Sequence, residues 1–196
     1  MFEPLEYVLR VAGGRVEVLK RPGEEAIDIE LARTHREVDE DDKQGIALLT
    51  RAIVAAREAL EREIGRPLLP QDCRVRIDEF PFETVLLWND VTEVLEVTYR
   101  DVDGARQTLP PAAYRVKAGR YLAPRGVWPA GEDVEIRFRC GAFDVPDAVP
   151  ESLRSWMLLH IGTQFEQRES RVEGVLTSVG EDFTAGLLTG HHAVSL

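Results

Sequence analysis

Between Asp28 and Pro70 the apolar positions recur at helical spacing, and beyond Pro70 they switch to strict alternation, so the chain divides into helical and strand segments. Asp28 is placed to cap a short helix over Ile29 to Glu37, with Ile29, Ala32 and His35 on one side. A second helix is expected to begin in the acidic group Asp39, Glu40, Asp41 and Asp42, because the unpaired N–H groups of a helix start favour negative charge. Its apolar stripe is Ile46, Leu49, Ile53, Ala56, Leu60 and Ile64, widened by Ala47, Ala52, Ala55 and Ala59. Gly65 supplies a left-handed stop and Pro67 prevents the helix from resuming. The pairs Arg57 with Glu61 and Glu58 with Arg62 sit one turn apart and are read as solubilising the outer face.

The alternating region begins with Cys73, Val75 and Ile77 as inward positions between Arg74, Arg76 and Asp78. Val85 to Trp88 forms a further candidate strand. Leu95, Val97 and Tyr99 are expected inward, and Asp103-Gly104 turns the chain back through Gln107 to Leu109 as a hairpin. Tyr114 and Val116 continue the pattern, and Val134, Ile136, Phe138 and Cys140 make the last strand. Helix returns after Val149, with Pro150 at the first position and Leu153, Trp156, Met157, Ile161 and Phe165 on a broad apolar face ending near Arg168. Before Glu24, Val16, Val18 and Leu19 read as a short strand or arm. Beyond Arg171 the apolar residues keep no firm period and are read as an extended tail that orders against a partner.

The expected fold is therefore α+β: a small α-helical bundle, built from the long helix and the C-terminal helix, carrying an inserted antiparallel β domain. The boundaries are an N-terminal arm over 1–27, a helical core over 28–70 and 146–170, the β domain over 71–145, and the tail over 171–196.

With 196 residues, 44% of them hydrophobic and 30% charged, the chain suits one well-filled domain or a main domain with an insertion. It shows neither a membrane-crossing apolar run nor the pattern of a signal peptide, so synthesis in the cytoplasm is expected. In that compartment Cys73 and Cys140, both at inward strand positions, are read as free buried thiols. The net charge of -11 argues against a protein that grips nucleic acid, although an acidic wall lets DNA pass without sticking.

Candidate chemistry is sparse. The Asp39–Asp42 group lacks the glycine and distal glutamate of a calcium loop. The adjacent His191 and His192 have no partners at zinc-site spacing, and neither a phosphate-binding glycine loop nor a Gly-x-Ser-x-Gly elbow occurs. His160, beside the apolar stripe one turn after Trp156, reads as a packed or interface histidine before a general base. Trp88, Trp128 and Trp156 lie in three separate elements and read as core or contact residues before a ligand platform.

The stretch Ala55-Ala56-Arg57-Glu58 running to Ile64-Gly65-Arg66-Pro67-Leu68 resembles the first long helix and exit of the head-tail connector, or head-completion adaptor, proteins of long-tailed phages and prophages. The resemblance continues through Val94 to Gly104, Tyr114-Arg115-Val116, Trp128-Pro129, Val134 to Phe138 with Gly141, and Val149-Pro150-Glu151-Ser152-Leu153. It covers roughly residues 28 to 170.

The resemblance implies a virion neck protein, assembled in the host cytoplasm as a ring, commonly twelve-fold. Such a ring lies beneath the portal, extends the DNA channel and docks the next neck or tail-completion component, without catalytic residues, metal or cofactor. A ring needs two different faces on each subunit that meet head to tail. The candidate contact residues are Ile46, Leu49, Ile53 and Leu60 on the long helix, Trp156, His160 and Phe165 on the C-terminal helix, and Leu176, Phe183, Leu187 and Leu188 in the tail. The competing reading is a monomeric binding module whose β domain recognises a peptide or ligand.

Overall fold

A computed structural model describes residues 16–169 and 181–193. The chain divides into two compact units. The β unit comprises residues 69–142 with the segment before Gly23, and the helical unit comprises Gly23–Leu68 and Phe143–Val194. The fold is α+β, and all strand pairings are antiparallel.

In the helical unit, α1 spans Ile29–His35 and α2 spans Lys43–Ile64. Asp28 Oδ1 accepts the Glu30 N–H at 2.7 Å, and Asp42 Oδ1 accepts those of Gln44 and Gly45 at 3.1 and 2.9 Å. Each helix therefore starts on a carboxylate that satisfies orphan donors. A Cβ at Gly45 would overlap the Asp42 carboxylate, so the cap requires glycine there. Gly65 ends α2 at φ 70°, and the N–H of Arg66 returns to the Glu61 carbonyl at 3.1 Å.

The α2 stripe of Leu49, Ile53, Ala56, Leu60 and Ile64 is buried, as are Leu153, Met157 and Ile161 of α3, Glu151–Glu169. α2 and α3 pack against each other, and α1 packs on α2.

Two expectations change in this unit. Arg57 and Glu61 do not face solvent: they are 1% and 3% exposed. Arg57 Nη1 donates to Glu61 Oε2 and Arg57 Nε donates to Glu25 Oε2, both at 2.8 Å, while Glu61 Oε1 accepts the Leu68 N–H at 2.9 Å. Burial alone would lower the Arg57 pKa, but the Glu61 and Glu25 carboxylates outweigh it and hold the guanidinium charged. The pair is covered because the segment before α1, with Ala26 and Ile27 fully buried, belongs to this unit and is not a free arm.

The second change is at the C-terminus, where an extended tail was expected. Residues Glu181–Leu188 form a helix, α4, that packs on α3 and buries Leu188. The following turn returns to α2 through the Ala193 N–H, which donates to the Ile64 carbonyl at 2.7 Å. Two turns of helix with one buried leucine leave too short a pattern to show a period. The rest of the predicted tail, Leu176 included, lies outside the described residues.

The β unit holds a five-stranded sheet in the order β1-β2-β8-β4-β5 and a three-stranded sheet in the order β3-β7-β6. The strands of the first are β1 Val16–Lys20, β2 Gln71–Glu79, β4 Val91–Arg100, β5 Arg106–Thr108 and β8 Glu132–Cys140. Those of the second are β3 Val85–Leu86, β6 Tyr114–Lys117 and β7 Tyr121–Pro124. Inward residues of both sheets, among them Val75, Val97, Leu122, Ile136 and Phe138, share one apolar cluster.

Cys73 and Cys140 lie within it, both buried and unbridged, with their sulfurs 3.6 Å apart. Gly141 closes the unit, because a Cβ there would collide with the Leu69–Pro70 backbone. β1 joins the sheet through β2, while Val18 and Leu19 stay partly exposed.

The alternation of β4 breaks at Leu95, which was expected inward and is 37% exposed. Val94 pairs with Phe138 and Glu96 with Arg137, so two residues of β4 advance against one of β8. This bulge moves Leu95 to the opposite face while Val94 and Val97 both reach the core.

Arg57→Ala strands the buried Glu61 carboxylate and removes the partner of the partly buried Glu25, and is expected to destabilise the protein by about 3–5 kcal/mol in urea unfolding. Arg137→Ala, which removes a partly exposed cross-strand ion pair with Glu96, is expected to cost under about 1 kcal/mol in the same measurement.

Candidate assembly surfaces

Of the residues expected to meet a neighbouring subunit, Leu49, Ile53, Leu60 and Leu188 are buried within the helical unit itself. Their apolar area is already covered by the chain's own helices and is not a free face in the monomer. Ile46, Trp156, His160 and Leu187 remain partly exposed. Phe165 and Phe183 lie on α3 and α4, but their side chains, like Leu176, fall outside the described ones.

On α3, Trp156 and His160 are one turn apart and stack with ring centroids 5.0 Å apart and planes 9° from parallel. Burial lowers the His160 pKa, and the charge of Arg62 on α2 lowers it further. The imidazole is therefore neutral at physiological pH and forms a half-buried planar patch with Trp156.

At the start of α3, Ser152 Oγ and His191 Nε2 lie 3.1 Å apart. A hydroxyl against an imidazole is part of a nucleophilic triad, yet among the described residues no carboxylate bonds to His191 to orient it. The contact fastens the turn after α4 onto α3.

A cleft of about 530 Å³ lies in the same unit, lined by Ile29, Ile53, Val54 and Pro146 among apolar groups and by Glu25 and Arg154 among charged ones. Glu25 is engaged by Arg57, and Arg154 by Glu151 at 3.4 Å. Among the described residues no group of three or more His, Cys, Asp or Glu is arranged to hold a metal ion.

In the β unit the solvent face of the five-stranded sheet is a lattice of ion pairs. Arg74 binds Glu17 on β1 and Glu135 on β8, Arg76 binds Glu135, Arg139 binds Asp72 and Glu93, and Arg100 binds Asp133. Glu17 faces Arg74, Arg76 faces Glu135 and Asp72 faces Arg139 directly across neighbouring strands, which favours this register, whereas Arg74 faces Arg137 and reaches Glu135 on the diagonal. A second cleft, of about 470 Å³ and lined by Val16, Glu17, Arg74 and Arg76, lies on this face and presents charges that are already paired, Arg74 with Glu17 and Arg76 with Glu135.

Trp128 stacks on Phe80 at 4.7 Å and 11°, and Phe80 meets the Tyr99 ring edge-on at 5.6 Å. Trp128 and Trp156 thus belong to separate aromatic pairs, one within each unit. The Phe80 cluster carried no sequence signal, since its three rings come from a loop, a strand and another loop.

No protein-family model matches the sequence, and no curated protein sequence does either. Solved structures do match in fold. A chain from the neck of an empty gene transfer agent particle, computed with C6 symmetry, superposes with a TM-score of 0.72 at 18% identity, covering 93% of this chain and 97% of that one. A chain from the virion of a native gene transfer agent particle gives 0.68 at 18% identity, over 92% and 96%. One from the neck of the native particle, computed with C12 symmetry, gives 0.65 at 18% identity, over 93% and 97%. At this identity the likeness establishes the fold, which is that of chains found in the necks of phage-like particles.

The lowered His160 pKa predicts a pH dependence. The unfolded chain takes up the proton more readily, so this stability is complete above about pH 6.5 and is lost as pH falls through 6.5 toward the lower folded value. His160→Gln is expected to flatten that part of a Tm-against-pH curve measured between about pH 7.5 and 5.5.

Proposed function

We propose that the chain is a non-enzymatic structural subunit of a virion neck, in a phage, prophage or related particle. In this reading it assembles in the host cytoplasm as a ring, joins the portal to the next neck or tail-completion component, and continues the DNA channel. The observation that carries the reading is the full-length likeness to neck chains, with nearly the whole of each chain superposed. The symmetry used for those necks, C6 and C12, supports a closed ring of six or twelve copies and agrees with the twelve-fold ring implied by the sequence resemblance.

The chemistry of the described residues is compatible with a structural role. The buried Arg57 and Glu61 are engaged by each other, and the Ser152–His191 contact lacks an acid to complete a triad. In the ring, subunit contact falls to surface that the monomer leaves uncovered, for which Ile46, Leu187 and the Trp156–His160 stack are the candidates from the helical unit. The charge of -11 suits a channel from which DNA phosphates are repelled, so that DNA passes without being held.

Negative-stain imaging of the purified protein at high concentration, alone and with the portal of the same genome, tests the assignment. Rings, or a collar added to the portal, are the expected result. A compact monomer that ignores the portal would overturn it and leave the β unit as a free-standing recognition module.

A further inference from the structure

Scattered exposed hydrophobic residues are ordinary on a protein surface, but three in this chain are neither scattered nor partly covered. Phe82, Val127 and Val102 are 98%, 95% and 80% exposed, the highest values among the described large apolar residues. Phe82 follows β2, Val102 follows β4, and Val127 precedes β8. The register places Glu79 at the end of β2 and Arg100 at the end of β4 both against Glu132, the first residue of β8. All three loops therefore emerge at one end of the sheet, opposite the Gln71–Cys140 end where the chain enters and leaves the unit.

Each loop is braced. The Trp128 indole N–H donates to the Glu83 carbonyl at 3.2 Å, tying the Val127 loop to the Phe82 loop above the Phe80–Trp128 stack. The Val102 turn is wound around Asp101, whose carboxylate accepts the Asp103 and Ala105 N–H groups at 3.0 and 2.9 Å and the Gln107 amide at 2.7 Å. Gly104, at φ 79°, closes that turn. Apolar side chains on braced loops lose little conformational entropy on binding.

The geometry points to a docking surface at this end of the β unit for another protein, a neighbouring neck component that presents apolar sockets bordered by Lys or Arg. Residues 78–84, 100–106 and 125–133 together carry seven carboxylates against three guanidinium groups. That balance disfavours DNA and anionic lipid, and it also disfavours the same end of a second copy. Three side chains cover far less than the roughly 800 Å² per partner of a stable pair. One subunit therefore binds weakly, and a ring binds tightly by repeating the contact. This step rests on the ring reading proposed above.

The test uses the full chain carrying Phe82→Ser, Val102→Ser and Val127→Ser together, with Val145→Ser in the helical unit as the control for an exposed valine elsewhere. Each protein is titrated against the purified portal and the purified next neck protein of the same genome, with ring formation followed by sedimentation. The triple variant is expected to keep its ring and to lose at least tenfold in apparent affinity for one of the two, while the control binds as the parent does.

Equal binding by the triple variant and the parent, with rings intact in both, would overturn the docking surface alone. Loss of the variant's own ring would overturn it in favour of a contact between copies. Parent binding to duplex DNA or phosphatidylserine vesicles in place of both proteins would overturn it in favour of an anionic ligand. A parent that forms no ring and binds neither protein would defeat the ring reading itself.

Discussion

The helical unit depends on one buried ion pair. Arg57 and Glu61 are neighbours on a single turn of α2, and they also bond to one segment before α1 and one just beyond the exit of α2. Arg57 draws in Glu25 from the segment before α1, and Glu61 holds the Leu68 N–H beyond the helix exit. Taking two charges out of water is costly, and it is tolerated here because each also bonds outside the pair. An apolar pair of similar size would fill the same space but would not specify where residues 25 and 68 must lie.

The β unit solves a different problem with different forces. Its two sheets enclose one apolar cluster, and the opposite face of the larger sheet is covered by Arg–carboxylate pairs that run across four strands. Individually such exposed pairs are weak. Their arrangement matters more than their energy, because directly opposed pairs such as Arg76 with Glu135 and Asp72 with Arg139 favour the observed register, and the bulge in β4 keeps Val94 and Val97 on the core side. Beyond the Arg100–Asp133 pair, the loops at the sheet's far end are left with bare apolar side chains on braced turns.

These divisions bear on assembly. Apolar residues that close the core of a subunit are unavailable for contact between subunits, and most of the α2 stripe is spent in that way. In the proposed assembly, what is left for contact is the remainder: the half-buried Trp156–His160 stack, part-exposed positions such as Ile46 and Leu187, and the loop end of the β unit. Carboxylates dominate the surface around that loop end, which narrows the chemistry of whatever meets it.

The sequence by itself determined the elements whose signals are local. The acidic cap, apolar stripe and glycine stop of α2 lie within one helix, the β2 and β8 alternations lie within single strands, and the order of helix, strands and helix follows from where the period changes. Even the inward placement of Cys73 and Cys140 was legible from the alternation of their strands.

Only the tertiary structure decided what depends on distant segments. An Arg–Glu pair one turn apart looks the same on a wet or a dry face, and residues 25 to 27 made it dry. A bulge turned Leu95 outward because β8, some 40 positions later in the chain, sets its register. The short helix α4 needed α3 to dock on, and three apolar loop residues acquired meaning only when the register of β2, β4 and β8 brought them to one end. Local pattern fixes conformation within a turn or a strand, whereas burial is set by whichever remote segment arrives to exclude water.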